Sequence, residues 1–309
     1  MKTNTFFTPI QSCERITADN FETKYAEYFN SLREAAKYNK LNQINLFKSA
    51  LTRNQFLKLL HDKNSDYTDC AIIHYAAKWN RPSAIQSLVE DLSHEERLSI
   101  FKMKYSTRCN TLHFTATVND RENTNCSYEA AVKIKELLYL ENDHHFWIKL
   151  LEEQQYCLET SVHYAARQPS SNLLKLLSDG LDECEWLKII SLKNDNNRTA
   201  VDVYFINMNK NYMSSSSTSY ISALRGPLKS DSWVRFLLSN NVLQGLDPDN
   251  PGEAQCFQEI IKNLPPELIQ ILVKDWQKFY PDKSNRINTL VDKIQMTETD
   301  FRAFNNMKT

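Results

Sequence analysis

Three histidines sit in settings alike enough to suggest one shared task. They are His74 in Ala71-Ile72-Ile73-His74-Tyr75-Ala76-Ala77, His113 in Asn110-Thr111-Leu112-His113-Phe114-Thr115-Ala116, and His163 in Thr160-Ser161-Val162-His163-Tyr164-Ala165-Ala166. Asp202 takes the same place in Arg198-Thr199-Ala200-Val201-Asp202-Val203-Tyr204. Imidazoles can ligate a metal or move a proton. Cys109 and Cys157 lie shortly ahead of His113 and His163, which are the ingredients of a thiol–imidazole nucleophile. A second cluster, Glu141, Asp143, His144 and His145, has the donor types of a metal site.

The spacing argues against the metal readings. Equivalent positions of stacked helical units stand roughly 10 Å apart, whereas zinc ligands lie about 2 Å from a single ion. The three histidines therefore read as structural groups that need hydrogen-bond partners of their own. The second cluster is sequential at a helix start and has no distant cysteine set to join it, so it reads as a solvated face. A small thiol inside a repeated unit usually fills core or turn space, and no strand–turn–helix nucleophile pattern occurs. There is no GxGxxG, P-loop or HExxH. No catalytic, metal or cofactor residue is assigned, and a cysteine-dependent hydrolase that docks substrate on the repeats stands as the alternative function.

The elements that must position these residues recur in phase. The histidine/aspartate segments follow one another at intervals of 39, 50 and 39 positions. Between them lie short amphipathic helices that start at Thr52, Ser93, Asp143 and Asp182. After each signature a third helix is expected, at 84–89, 131–138, 173–177 and 233–238. One such unit cannot bury its apolar stripe alone, and stacking makes the core continuous. Composition agrees. Four glycines in 309 residues leave little room for phosphate loops or hairpin-rich β structure. The fold class expected is all-α: an elongated repeat solenoid with an extra helix per repeat and helical caps.

A formal charge of −1 argues against a nucleic-acid partner. Seven scattered cysteines without a CxxC pair suggest reduced thiols and a cytoplasmic setting. The amino terminus lacks a cleavable signal pattern, and no run approaches the ~18 apolar residues of a membrane span. A monomer is expected.

Along the chain, 1–40 reads as a leader of about 20 residues followed by a capping helix (Phe21 to Tyr38), 41–244 as the repeats, and 245–309 as a C-terminal helical cap or tail. Within the repeats, a helix near Leu41 to Ala50 completes a degenerate first unit. Asn119 to Ser127 and Asn211 to Ser219 read as loops. In the tail, Pro265-Pro266 opens a helix to Phe279, and shorter helices follow at Arg286 to Ile294 and Glu298 to Asn306.

The signature segments resemble the ankyrin repeat, whose TPLHxAA motif opens the first helix after a tight turn. Thr160 to Ala166 matches best, and Asn196 to Val203 is similar to a DxxGRTALDVA variant. The proline is absent throughout, and the turn glycine is replaced by Asp69, Arg108, Leu158 and Asn197. Arg108 and Leu158 disfavour left-handed geometry, so those turns are expected to be remodelled. The additional helix, as in Ser93-His94-Glu95-Glu96-Arg97-Leu98, resembles the long ankyrin units of effectors that intracellular bacteria such as Legionella inject into host cells. That likeness implies action in a host cytoplasm, with an export address in the last ~20 residues around Glu298 and Asp300.

The ankyrin likeness also implies a concave binding face made of finger turns and inner helices, hence protein–protein recognition. Tyr105, Arg108 and Tyr156 take finger positions, while Trp79 and Arg167 follow the inner-helix alanines. Aromatic and arginine side chains anchor interfaces, so these five are the expected partner-binding residues. His74, His113, His163 and Asp202 form the structural signature.

Overall fold

The computed structural model describes residues 16–62, 70–116, 126–139, 144–168, 171–211, 217–262 and 264–292 as helices joined by turns and irregular segments, with no strand among them. The helices fall into successive triplets. The first is α1 (Tyr25–Lys37), α2 (Leu41–Ala50) and α3 (Arg53–His61), and the second α4 (Ile72–Lys78), α5 (Pro82–Val89) and α6 (His94–Lys102). The third is α7 (Thr111–Ala116), α8 (Cys126–Tyr139) and α9 (His144–Glu152), and the fourth α10 (Ser161–Ala165), α11 (Asn172–Ser178) and α12 (Glu183–Ile190). Next come α13 (Ala200–Asn211), α14 (Ser217–Arg225) and α15 (Ser230–Ser239). A 3-10 turn at Val242–Gly245, α16 (Pro251–Ile261), α17 (Pro266–Phe279) and a helical stretch over 284–292 complete the described chain.

Each first helix packs on the first helix of the next triplet, in the order α1, α4, α7, α10, α13. The second helices follow suit in the order α2, α5, α8, α11, α14. Local sequence sets the boundaries. Thr52, Ser93 and Asp182 each cap a third helix and close a reciprocal bond with Gln55, Glu96 and Glu185 three residues on, satisfying orphan amides at the helix start. Pro82, Pro251 and Pro266 occupy first-turn positions where their missing N–H costs nothing.

The core is continuous rather than split between triplets. Trp147, Trp186 and Trp233, at matching places on α9, α12 and α15, are fully buried. Trp186 Nε1 donates to the Leu224 carbonyl at 2.9 Å. Gly226, at φ +53°, lies against that indole: a Cβ there would stand 2.7 Å from Nε1.

Several expectations need correction. The second helix of the fifth triplet is α14, which packs on α11, whereas 233–238 lies in α15, a third-row helix. Serine-rich composition hid this, because Tyr220, Ile221 and Leu224 bury one face of α14 despite its polar start. Thus 217–219 and Asn211 are helical, and 212–216 lie outside the described residues. Likewise Cys126 and Ser127 belong to α8, while 119–125 lie outside the described residues. Helix α16 lies in the C-terminal cap region, at a stretch to which no helix was assigned; Asn250 caps it and it packs on α13 and α14.

The N-terminal helix begins at Tyr25, four residues after Phe21, and Phe21 packs edge-on against Tyr25. The first triplet is also a closer copy of the second than its missing histidine implies. Ala35-Ala36-Lys37-Tyr38-Asn39-Lys40 repeats as Ala76-Ala77-Lys78-Trp79-Asn80-Arg81. Both end a first helix with a left-handed asparagine, Asn39 (φ 57°) and Asn80 (φ 48°). In both, the following amide returns 2.8 Å to the first alanine's carbonyl, Lys40 to Ala35 and Arg81 to Ala76, which is the Schellman closure.

Candidate functional site: the finger edge

Before α7, α10 and α13 the chain makes the same tight excursion three times. Tyr105 N–H donates to the Cys109 carbonyl (2.9 Å) and Arg108 N–H to the Tyr105 carbonyl (2.7 Å). Gln155 with Glu159 and Leu158 with Gln155 repeat the pair (2.9 Å each), as do Asn194 with Arg198 and Asn197 with Asn194 (2.9 Å each). The fourth residue of each turn is left-handed: Arg108 at φ 65°, Leu158 at 57° and Asn197 at 57°. This is a turn closed by a bulge at the position that usually takes glycine.

Remodelled turns at Arg108 and Leu158 are therefore ruled out. Left-handed backbone costs an ordinary residue about 1–2 kcal/mol. It is held here because the fingers also bond sideways: Tyr156 N–H donates to the Thr107 carbonyl at 2.8 Å, and Asp195 N–H to the Cys157 carbonyl at 3.0 Å. Asp69, the fourth turn position, lies outside the described residues.

The histidines tie fingers to helices. His74 Nδ1 accepts from the Ala71 N–H (3.2 Å), His113 Nδ1 from Asn110 (3.3 Å) and His163 Nδ1 from Thr160 (3.2 Å). The opposite nitrogens reach forward to the carbonyls of Met103 (2.9 Å), Glu159 (3.1 Å) and Arg198 (3.0 Å). A carbonyl partner requires N–H at Nε2, which fixes Nδ1 as the acceptor. Each imidazole thus bolts its own turn to the next segment. Asp202 keeps only the local half, accepting from the Thr199 N–H at 2.8 Å. Burial favours the neutral ring, holding His163 below its usual range and His113 down to about 4.

Neither ring is placed as a base for a thiol. Cys109 is buried and accepts from Thr107 Oγ1 at 3.3 Å; burial raises its pKa, and Cys256 is pushed up to about 12. His144 Nδ1 meets the Tyr139 hydroxyl (3.1 Å) and Nε2 the Glu185 carboxylate (3.0 Å), so it joins α9 to α12. His145 is exposed, and Glu141 and Asp143 lie outside the described residues. Among the described residues no three His, Cys, Asp or Glu side chains gather in a metal-binding group.

The five expected partner-binding residues separate into two kinds. Tyr156 is 78% exposed at a finger tip, and Arg108 is exposed on the neighbouring finger. Tyr105 instead turns inward, edge-on to Phe114 with ring centroids 5.7 Å apart. Arg167 is half-buried and grips Glu159, with Nη1 donating to Oε2 at 2.7 Å and Nη2 to Oε1. Asn194 adds a donor to that carboxylate at 3.2 Å, and Glu159 is held below the usual carboxylate range. Trp79 is half-buried, with the Lys37 ammonium 5.0 Å from its ring.

Besides Leu46, Tyr128 and Ile271, two exposed apolar groups close to the expected partner-binding residues were not counted among them. Leu158 is 47% exposed beside Tyr156, and Tyr38 is 51% exposed at the end of α1. The turn position signalled the first, since a side chain there points away from the helices. The Ala-Ala-Lys-aromatic-Asn duplication signalled the second. Compared with known protein families and with curated proteins, the sequence matches none.

Proposed function

We propose that the chain is a stack of divergent ankyrin-like units, capped by helices at both ends, that recognises a protein partner with its fingers and first-row helices. The observation that carries this reading is the row of laterally bonded fingers, with Arg108, Tyr156 and Leu158 exposed at their tips. Rigid backbone beneath large exposed side chains keeps the ordering cost of binding low. Recognition then needs neither cofactor nor chemical step, and a monomer suffices. The occupied imidazoles and the raised Cys109 thiol favour this reading over a cysteine-dependent hydrolase. The likeness of the long units to those of injected bacterial effectors supports a host protein as the partner and a host cytoplasm as the setting. No helix of the described chain is long and apolar enough to cross a membrane.

The test is affinity capture with three proteins: wild type, Arg108→Ala/Tyr156→Ala, and a Lys188→Ala control on α12. The reading requires a protein recovered by wild type and control and lost by the double variant. Equal recovery by all three removes the fingers from recognition. One thiol labelled selectively at neutral pH would favour the hydrolase instead.

A further inference from the structure

The duplicated corners at the ends of α1 and α4 put cations and aromatic rings side by side. The Lys37 ammonium lies 4.7 Å from the Tyr38 ring centroid and 5.0 Å from that of Trp79, bridging the two triplets. Lys40 stands 5.9 Å over Tyr38. Lys78 is exposed beside Trp79, and Arg81 commits its Nε to the Lys37 carbonyl at 2.9 Å. No carboxylate among the described residues pairs with Lys37, Lys40, Lys78 or Arg81. Elsewhere lysines find acids readily, as Lys48 does with Glu90 and Lys188 with Glu152.

Basic residues do favour helix C-termini, which accounts for one lysine at each corner. It does not account for a half-exposed tyrosine and tryptophan held against the same charges. The Schellman amides take the carbonyls of Ala35, Ala36, Ala76 and Ala77, and Arg81 takes that of Lys37, so the ammonium groups of Lys37, Lys40 and Lys78 are not needed to satisfy backbone.

We infer that this corner pair, Lys37, Tyr38, Lys40, Lys78, Trp79 and Arg81, is a docking site for an extended acidic segment of a protein partner. The inference deepens the proposed recognition role and rests on it. Charge complementarity selects the occupant: four cations without counter-charges, on a chain whose overall charge is −1, make a local and not a global attraction. The rings supply apolar and cation–aromatic contact for the residues between the acids. Geometry sets the register, because neighbouring first-row helices stand roughly 10 Å apart and an extended chain advances about 3.3 Å per residue. Carboxylates about three residues apart therefore meet successive corners. Nucleic acid is the less favoured occupant, since four cations over two corners neutralise few phosphates.

The full-length protein tests this with a labelled synthetic peptide of about 12 residues carrying glutamate at every third position. Its glutamine counterpart and an oligo-dT of similar length serve as comparison probes. Trp79 is a built-in reporter, as Trp147, Trp186, Trp233 and Trp276 are all fully buried. The acidic peptide is expected to shield Trp79 from acrylamide, to bind at least ~10-fold more tightly than the glutamine peptide, and to weaken steeply as salt rises. Lys37→Gln/Lys40→Gln/Lys78→Gln is expected to lose at least ~10-fold in affinity for it. Should that variant fold poorly, the salt and shielding measurements on wild type still decide. Equal binding of both peptides, or an unaffected triple variant, overturns the inference, and tighter oligo-dT binding assigns the site to nucleic acid. Lys188→Ala should bind the acidic peptide as wild type does, and the finger reading is scored by partner capture instead of by this peptide, so failure of the corner and failure of the finger reading remain distinct.

Discussion

The outer ridge of third helices and the finger edge are both wet, yet they treat their polar side chains in opposite ways. Along the ridge, polar side chains pair from one triplet to the next. Arg53 bonds Glu96, Lys104 Glu153 (3.5 Å), His144 Glu185 (3.0 Å), Lys188 Glu152 (2.7 Å) and Lys229 Glu183 (3.6 Å). At the fingers the pairing is backbone to backbone, and the tips carry Tyr156, Leu158 and an Arg108 that no described carboxylate meets. The ridge pairs exposed groups within the chain, whereas the finger tips leave Arg108 and Tyr156 without a side-chain partner among the described residues, as the proposed recognition role requires. Surface exposure alone does not distinguish scaffold from interface; the state of the exposed groups' partners does.

That contrast can be broken most forcefully beneath the ridge. Trp186→Ala removes a fully buried indole and its bond to Leu224 and should cost about 4 kcal/mol in urea unfolding. Tyr156→Ala at the finger tip should stay within about 0.5 kcal/mol. A comparable loss at Tyr156 would make the finger part of the scaffold.

His163→Ala, beneath the fingers, leaves the Thr160 amide and the Arg198 carbonyl short of a partner. An expected loss of about 3 kcal/mol should also raise amide exchange at Asp195 and Asn197 on the adjoining finger.

Acid should loosen the same seam. The folded-state pKa values of His113 and His163 are depressed below the ordinary value of 6.5. Their contribution is therefore complete above pH 6.5 and is lost as pH falls, for His113 down to about pH 4. Stability should decline by up to about 1.4 kcal/mol per histidine for each pH unit in that window. His113→Gln should flatten the slope, and an unchanged slope would mean the ring is not held neutral.

Leu158→Gly should relieve left-handed backbone and stabilise by about 1 kcal/mol, while removing an exposed apolar group and weakening partner capture. Stability and binding would then move in opposite directions, the signature of a functional turn. The smallest effect is on the ridge: Lys188→Ala, at an exposed pair with Glu152, should change stability by less than about 0.5 kcal/mol and leave partner capture intact.

Much of this was legible before any coordinates. Capping at Thr52, Ser93 and Asp182 follows from residue type and spacing, and so does the shared place of His74, His113, His163 and Asp202. Helix α14 was illegible, because its serine-rich start carries no periodicity and its apolar face declares itself only against α11. Within the candidate site, Arg108 and Tyr156 are exposed. Tyr105 and Arg167 were claimed by Phe114 and Glu159, partners nine and eight residues away that the turn folds back against them.

Residue type and interval by themselves determined an all-helical chain with a recurring histidine position, since caps, turns and 3.6-residue periodicity act over a few neighbours. Tertiary structure decided which aromatics face water, which cations keep no counter-charge, and that Arg108 and Leu158 hold left-handed turns. Those outcomes depend on what the adjoining segment brings within about 3 Å, and no local pattern encodes the approach of a neighbour some 40 residues away.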